Sequence, residues 1–523
     1  MTRPRRTGRD RADGRSPRPA AATPHTTTLR RCALAVVLGV LTLGAAPLAP
    51  AAPPPADRLA WTPCAQPGGP ADQQCADLSV PVDHREPGGA RLTLRVTRLL
   101  SDRPAARRGV LFVAPGGPGG SGVEALAHRG PALRTVLRGT YDLVSLDPRG
   151  VGGSGGTGCG LRADDRDVLA FRGWPGPDGD LRDVATRARR TADACARNGG
   201  AVVRSYSTAN EVRDIERLRR ALGTPKLSLY GVSYGTYVSA TYAQRHPEHT
   251  DRAVLDSTDD PDPTRVGRGW NARTAAGADE RFPDFARWAA DPARDADGLR
   301  LARRPEGVRP LVLALADRLD RAPRATDTPH KLLTGNLLRQ AVQQGLTDDA
   351  AFPWLAGLIT AAEDPDATPA LPPGYGTPMP DRDATVFLAT VCNDVRWPRD
   401  VQRYARDVAV DRVRHPLTAG QPVTLTPCAF WPGEPADAPV HITADGPPVL
   451  MIQNLRDPTT PYAGALRMRT ALGARARLVT VDRGGHGVYL AHGNACGDRA
   501  VTTYLRTGHR PAADLRCTDR PGA

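Results

Sequence analysis

The chain has 523 residues, 40% of them hydrophobic and 24% charged, with 53 Gly and 51 Pro, a composition that excludes a coiled coil, a collagen-like repeat and a wholly disordered chain. The formal charge is +14, but residues 1–51 hold nine Arg against two Asp, so seven of those fourteen charges sit in one-tenth of the chain. Only Lys226 and Lys331 are lysines, and no basic run interleaved with aromatics follows residue 52, which excludes nucleic acid as the expected partner.

The first feature in chain order is a targeting segment. An Arg-rich stretch ends at Arg30 and Arg31, an uncharged run of Ala, Leu and Val covers 33–46, and Ala49-Pro50-Ala51 supplies small residues for cleavage. The run is shorter than the roughly 20 residues that span a bilayer. Residues 1–52 therefore read as an export signal with a disordered extension, leaving a secreted protein with no stable membrane insertion after cleavage. Cysteine usage agrees with export. Beyond Cys32 there are eight, Cys64, Cys75, Cys159, Cys195, Cys392, Cys428, Cys496 and Cys517, none in a C-x-x-C pair. Many connectivities are open to eight cysteines. The couples that stand together in the chain suggest four bridges between neighbours.

Residues 91–99 alternate polar and apolar, as in a half-buried strand. Short apolar runs follow at 109–114, 141–146, 227–230 and 252–255, the pattern of strands buried on both faces. Before the third run, Thr208 and Glu211 have capping-box spacing, with Val212, Ile215, Leu218 and Leu222 on one face and Gly223 at the end. Strands alternating with helices argue for a mainly parallel sheet. From 259 to 445 the pattern is helical, for example at 309–319 and 332–344, broken by Pro-rich turns, and strand-like runs resume at 448–453 and 477–481. The expected organisation is an α/β core in two parts, 53–258 and 446–523, interrupted by a mainly helical cap over 259–445.

Gly231-Val232-Ser233-Tyr234-Gly235 lies between a strand and a helix-forming run, as a G-x-S-x-G nucleophile turn should. A second match, Gly152 to Gly156, sits in a glycine run without a strand immediately before it or a helix after it and reads as a flexible loop. Upstream, Pro115-Gly116-Gly117-Pro118-Gly119-Gly120 can bring backbone N–H groups to a substrate, so Gly117 and Tyr234 are the candidate oxyanion donors. No G-K-[ST] follows, which argues against a phosphate loop. A serine needs a base and an orienting acid. His486 stands in a glycine-flanked loop past the strand at 477–481, and Asp457 follows the strand at 448–453, with Asp482 as substitute acid.

Together the Gly116-Gly117-Pro118-Gly119 loop, Asp147-Pro148-Arg149-Gly150, the Gly231 to Gly235 turn, Asp457 and Gly485-His486 resemble the secreted tripeptidyl aminopeptidases, which belong with the proline iminopeptidases among the α/β-hydrolases. Pro115 and Tyr234 stand where iminopeptidases tend to have His and Trp, and favour the tripeptidyl branch. The resemblance implies an α/β-hydrolase fold with a large helical cap before the last strands. It implies a serine exopeptidase that releases short peptides, tripeptides by family analogy, from free N-termini through Ser233, His486 and Asp457. The alternatives are an esterase with the same residues and a non-catalytic hydrolase-fold binding protein. No cofactor or metal is implied, the partner is a peptide, and a monomer is expected. Within the cap, Cys392-Asn393-Asp394 resembles the family most, which makes Asp394 the candidate anchor for the substrate's amino terminus.

Overall fold

The computed structural model describes residues 59–372 and 374–518; the export signal and extension expected over 1–52 lie outside them. Ten strands form one sheet: β1 (Thr62–Pro63), β2 (Gln74–Pro81), β3 (Arg91–Leu99), β4 (Gly109–Ala114), β5 (Tyr141–Leu146), β6 (Leu227–Val232), β7 (Thr250–Asp256), β8 (Val449–Arg456), β9 (Ala476–Gly484) and β10 (Leu515–Cys517). Their order across the sheet is β1-β2-β3-β5-β4-β6-β7-β8-β9-β10. Strands β1 to β3 form an antiparallel edge that continues onto β5, and every pair from β5 and β4 to β10 is parallel. This is an α/β-hydrolase fold.

The all-apolar strands follow from coverage on both faces. In β4, Val110, Phe112 and Ala114 enter one core while Leu111 and Val113 enter the other, and β8 divides Val449 and Met451 from Leu450 and Ile452 in the same way. Helix α1 (Gly122–Val136) covers the second face with Leu126 and Leu133. The first face is covered by α3 (Thr208–Ala221) and α4 (Tyr234–Arg245); α2 (Arg182–Asn198) precedes them in the chain. The cap of α3 is displaced by one residue from the sequence reading. Ser207 Oγ accepts from Asn210 N at 3.3 Å, which leaves Thr208 and Glu211 buried in the first turn.

Between β7 and β8 run α5 (Arg268–Ala290), α6 (Val308–Arg321), α7 (Gly335–Gly345), α8 (Phe352–Glu363), α9 (Asp381–Asp394) and α10 (Val401–Arg414). Helices α5 to α8 share their own core, including Phe282, Phe285, Leu315, Leu338 and Ile359. Helix α7 begins at Gly335 because Thr334 Oγ1 accepts from Leu337 N at 3.1 Å, and Leu332–Leu333 instead pairs with Arg324–Ala325. Helix α9 packs Val386 and Leu388 into the core of the sheet, and α10 packs Tyr404 and Val408 against Val184 and Ala188 of α2. The helical layer over the sheet thus draws on α2, which precedes β6, as well as on the stretch after β7.

Disulfides join Cys64 to Cys75, Cys159 to Cys195, Cys392 to Cys428 and Cys496 to Cys517, with Cα separations of 5.6, 4.6, 4.9 and 5.8 Å. Among the described residues no helix is long and apolar enough to cross a membrane.

Candidate active site

Strand β6 ends at Val232, and Ser233 turns the chain sharply into α4 with φ 58° and ψ −128°. An L-residue is strained there. Ser233 N donates to Asp256 O at 3.0 Å, and Thr236 N and Oγ1 both donate to Ser233 O, at 2.8 and 2.6 Å, so the turn is held from both sides. The flanking glycines are sterically required. A Cβ on Gly231 would lie 2.1 Å from Gly235 O, and one on Gly235 would lie 2.2 Å from Ala114 O.

His486 and Ser233 line the same cavity, of about 450 Å³, and so does Gly117. His486 Nδ1 lies 3.0 and 3.1 Å from the two oxygens of Asp457, which is fully buried. Asp457 Oδ1 also accepts from Thr459 N and Thr460 N, each at 2.9 Å, and Oδ2 from Thr460 Oγ1 at 2.9 Å. Burial alone would raise this carboxyl, but the imidazole beside it and the two amides hold it below the usual carboxylate range. Burial works against charge on His486, yet the Asp457 carboxylate raises its pKa above the ordinary imidazole value. The substitute acid, Asp482, is turned elsewhere. It pairs with Arg456 at 2.7 Å and Arg516 at 3.1 Å.

The loop after β4 approaches the turn closely, since a Cβ on Gly116 would lie 3.0 Å from Ser233 Cβ. Gly117 has φ 125°. Ser121 ends the loop by capping α1, accepting from Glu124 N at 3.1 Å and donating to Asp147 Oδ1 at 2.7 Å. Tyr234 opens α4, where backbone N–H groups have no partner within the helix. The second G-x-S-x-G match is not a flexible loop. Ser154 is buried, its hydroxyl donating to Asp147 O at 2.6 Å and accepting from Arg95 N at 2.8 Å.

Asp394 is not brought to the Ser233 cavity, which corrects the expectation for it. It lines a second cavity of about 290 Å³, where its oxygens accept from Thr208 N at 2.8 Å and Thr208 Oγ1 at 2.5 Å. It reaches the turn only indirectly, because Thr208 Oγ1 lies 2.8 Å from the Tyr234 hydroxyl, which lies 3.0 Å from Glu211 Oε2. These three links, two hydroxyl–carboxyl and one between the hydroxyls, need three protons. The two hydroxyls supply two, and the third must come from a protonated carboxyl at one end of the chain, Glu211 or Asp394. Desolvation agrees, pushing Glu211 up to about 8 and Asp394 up to about 7.

Sequence reasoning missed the residues that hold the His486 loop. Asp256, at the end of β7, accepts from Val488 N at 2.9 Å and Tyr489 N at 3.0 Å, and Asn454 Nδ2 donates to Gly485 O at 3.0 Å and Gly487 O at 3.2 Å. From the helical layer, Thr347 O accepts from His486 N at 2.8 Å. The available signal was a polar residue directly after each buried apolar run. Trp270, Phe387, Trp397 and Tyr404 give the cavity aromatic walls. Elsewhere, Glu216, His246 and His249 bring three potential metal-ligand atoms within 4.8 Å of one another, but Arg219, Arg220 and the Tyr242 hydroxyl already engage that carboxylate.

The model of the family described as TAP-like protein matches residues 416–517. The chain is 31% identical to the tripeptidyl aminopeptidase of Streptomyces lividans, covering 88% of this chain and 87% of that protein. It is similar at 29% identity to serine protease Hip1 of Mycobacterium tuberculosis, covering 87% and 90%, and at 32% to carboxylesterase B of the same organism, covering 92% and 96%. With this fold and these relatives, the chain belongs to the tripeptidyl aminopeptidase family of α/β-hydrolases and is a serine hydrolase.

Proposed function

We propose that this protein is a secreted serine exopeptidase that releases short peptides, tripeptides by analogy with its relatives, from free N-termini. The observation that carries the reading is the strained Ser233 turn opening on the same cavity as His486, whose other nitrogen is held by buried Asp457. Ser233 Oγ attacks the scissile carbonyl carbon while His486 Nε2 takes its proton. The oxyanion that forms is met by the N–H groups of Gly117 and Tyr234. Collapse of this intermediate breaks the C–N bond, His486 returns the proton to the leaving amine, and an ester to Ser233 remains. Water, activated by the same imidazole, then frees the peptide acid. Asp457 keeps the imidazole in the tautomer with the proton on Nδ1 and stabilises its cation.

Secretion is supported by four disulfides in the described residues and by the sequence of the first 52 residues. Similarity to a carboxylesterase favours ester cleavage by the same residues as the second reading. Purified mature protein assayed on a free tripeptide anilide, its N-acetylated form and a short-chain ester separates the two. An exopeptidase cleaves the free anilide and neglects the blocked one; an esterase cleaves only the ester.

A further inference from the structure

An enzyme that starts from a free amino terminus must desolvate an ammonium group, and the cost is met only by a fixed negative charge or by several hydrogen-bond acceptors. Two acids line the Ser233 cavity, Asp259 and Asp407. Asp407 is exposed and lies in the field of Arg268, which lines the same wall, so its charge is already offset. Asp259 is different. It is 6% exposed, and among the described residues its carboxylate accepts no hydrogen bond and forms no ion pair, whereas its neighbour Asp260 is bound by Arg273 at 2.7 Å.

A buried carboxyl without a partner, lining a cavity, is an incomplete ion pair. Burial pushes Asp259 up to about 8, with His486 lowering it and Asp457 raising it, so it shares the electrostatic surroundings of the candidate catalytic residues. The cations on the cavity wall, Arg268 among them, repel an ammonium from the rest of the chamber. We propose that Asp259 is the anion that receives the protonated amino terminus of the peptide substrate. This rests on the aminopeptidase reading above and names its specificity residue. The carboxyl gives up any proton it holds to solvent as the ammonium docks, and the new pair fixes the distance from the substrate's terminus to the scissile carbonyl.

The test uses p-nitrophenyl esters of one tripeptide, with the amino terminus free or acetylated, together with the free tripeptide p-nitroanilide. Wild type should prefer the free ester over the acetylated one. Asp259→Asn, which keeps the shape of the side chain, should lose about tenfold or more of that preference through KM, read as the ratio of kcat/KM on the two esters so that any change common to both through His486 cancels, with the melting temperature reporting correct folding. Asp407→Asn should keep the preference. A preference absent in wild type, or retained in Asp259→Asn, as equal falls on both esters would leave it, overturns the assignment. Failure of wild type to cleave the anilide while it cleaves the esters defeats the aminopeptidase reading, and the ester pair still decides Asp259.

Discussion

Tyr234, which follows Ser233 in the chain, sets its hydroxyl 3.0 Å from Glu211 Oε2, so the residue whose backbone N–H would meet the oxyanion is tied by its side chain to a buried acid. Burial raises Glu211 from 4.5 to about 8. Between those values the unfolded chain has released a proton that the folded protein keeps. Stability contributed by protonated Glu211 is therefore complete below about pH 4.5 and is lost as pH rises through about 8. Glu211→Gln supplies a permanent donor to Tyr234, so its melting temperature should fall less steeply than wild type across that window, by roughly 3–5 °C in total. Parallel curves would show that Glu211 does not hold the proton. Asp259 and Asp394, raised by burial in the same direction, keep some slope in the variant.

Acyl transfer requires a neutral imidazole, and His486 is raised by Asp457 against the effect of its burial. The kcat/KM profile should climb with pH through an apparent pKa above about 6.5. Asp457→Asn leaves Thr459 N and Thr460 N an acceptor but removes the charge, and turnover should drop by about 10⁴. A full rate at pH 4.5 in the wild type would contradict a histidine base.

Ser233→Ala should lower kcat by roughly 10⁵–10⁶ with unchanged folding, since the glycines that shape the turn remain. Ser154→Ala removes a buried hydroxyl that bonds Asp147 O and Arg95 N, and should cost about 1–3 kcal/mol of stability with kcat within a few-fold of wild type. The reverse pattern in a paired assay would move the nucleophile to the other turn.

The bridge between Cys392 and Cys428 closes 36 residues, and Cys428 also lines the Ser233 cavity. Replacing both by Ser should cost about 3–4 kcal/mol and raise KM more than it lowers kcat. Denaturant titration and steady-state kinetics on one preparation measure both; an unaltered unfolding midpoint would make the bridge dispensable.

What the residues alone made readable was local. The strand at 109–114 and the turn around Ser233 show themselves because burial on both faces demands an unbroken apolar run and a strained serine demands small neighbours. Asp457 and His486 follow from their positions after apolar runs. Asp394 failed because its place in the C-terminal turn of α9 says nothing of which cavity it meets, and the Thr208 hydroxyl claims it. Helix α2 was passed over because its many arginines hide a narrow face of Val184, Ala188, Ala192 and Cys195. Asp256 and Asp259 were hidden in a stretch crowded with aspartates that reads as a solvated turn, whereas only tertiary packing distinguishes the buried ones.

The hydrogen bond from His486 N to Thr347 O makes the helical layer a structural partner of the base. Thr347 stands two residues past the end of α7, so the placement of that helix helps set the loop that carries the imidazole. A substitution that shifts the end of α7 would therefore be felt at the candidate base through the backbone, with no residue of the His486 loop itself altered.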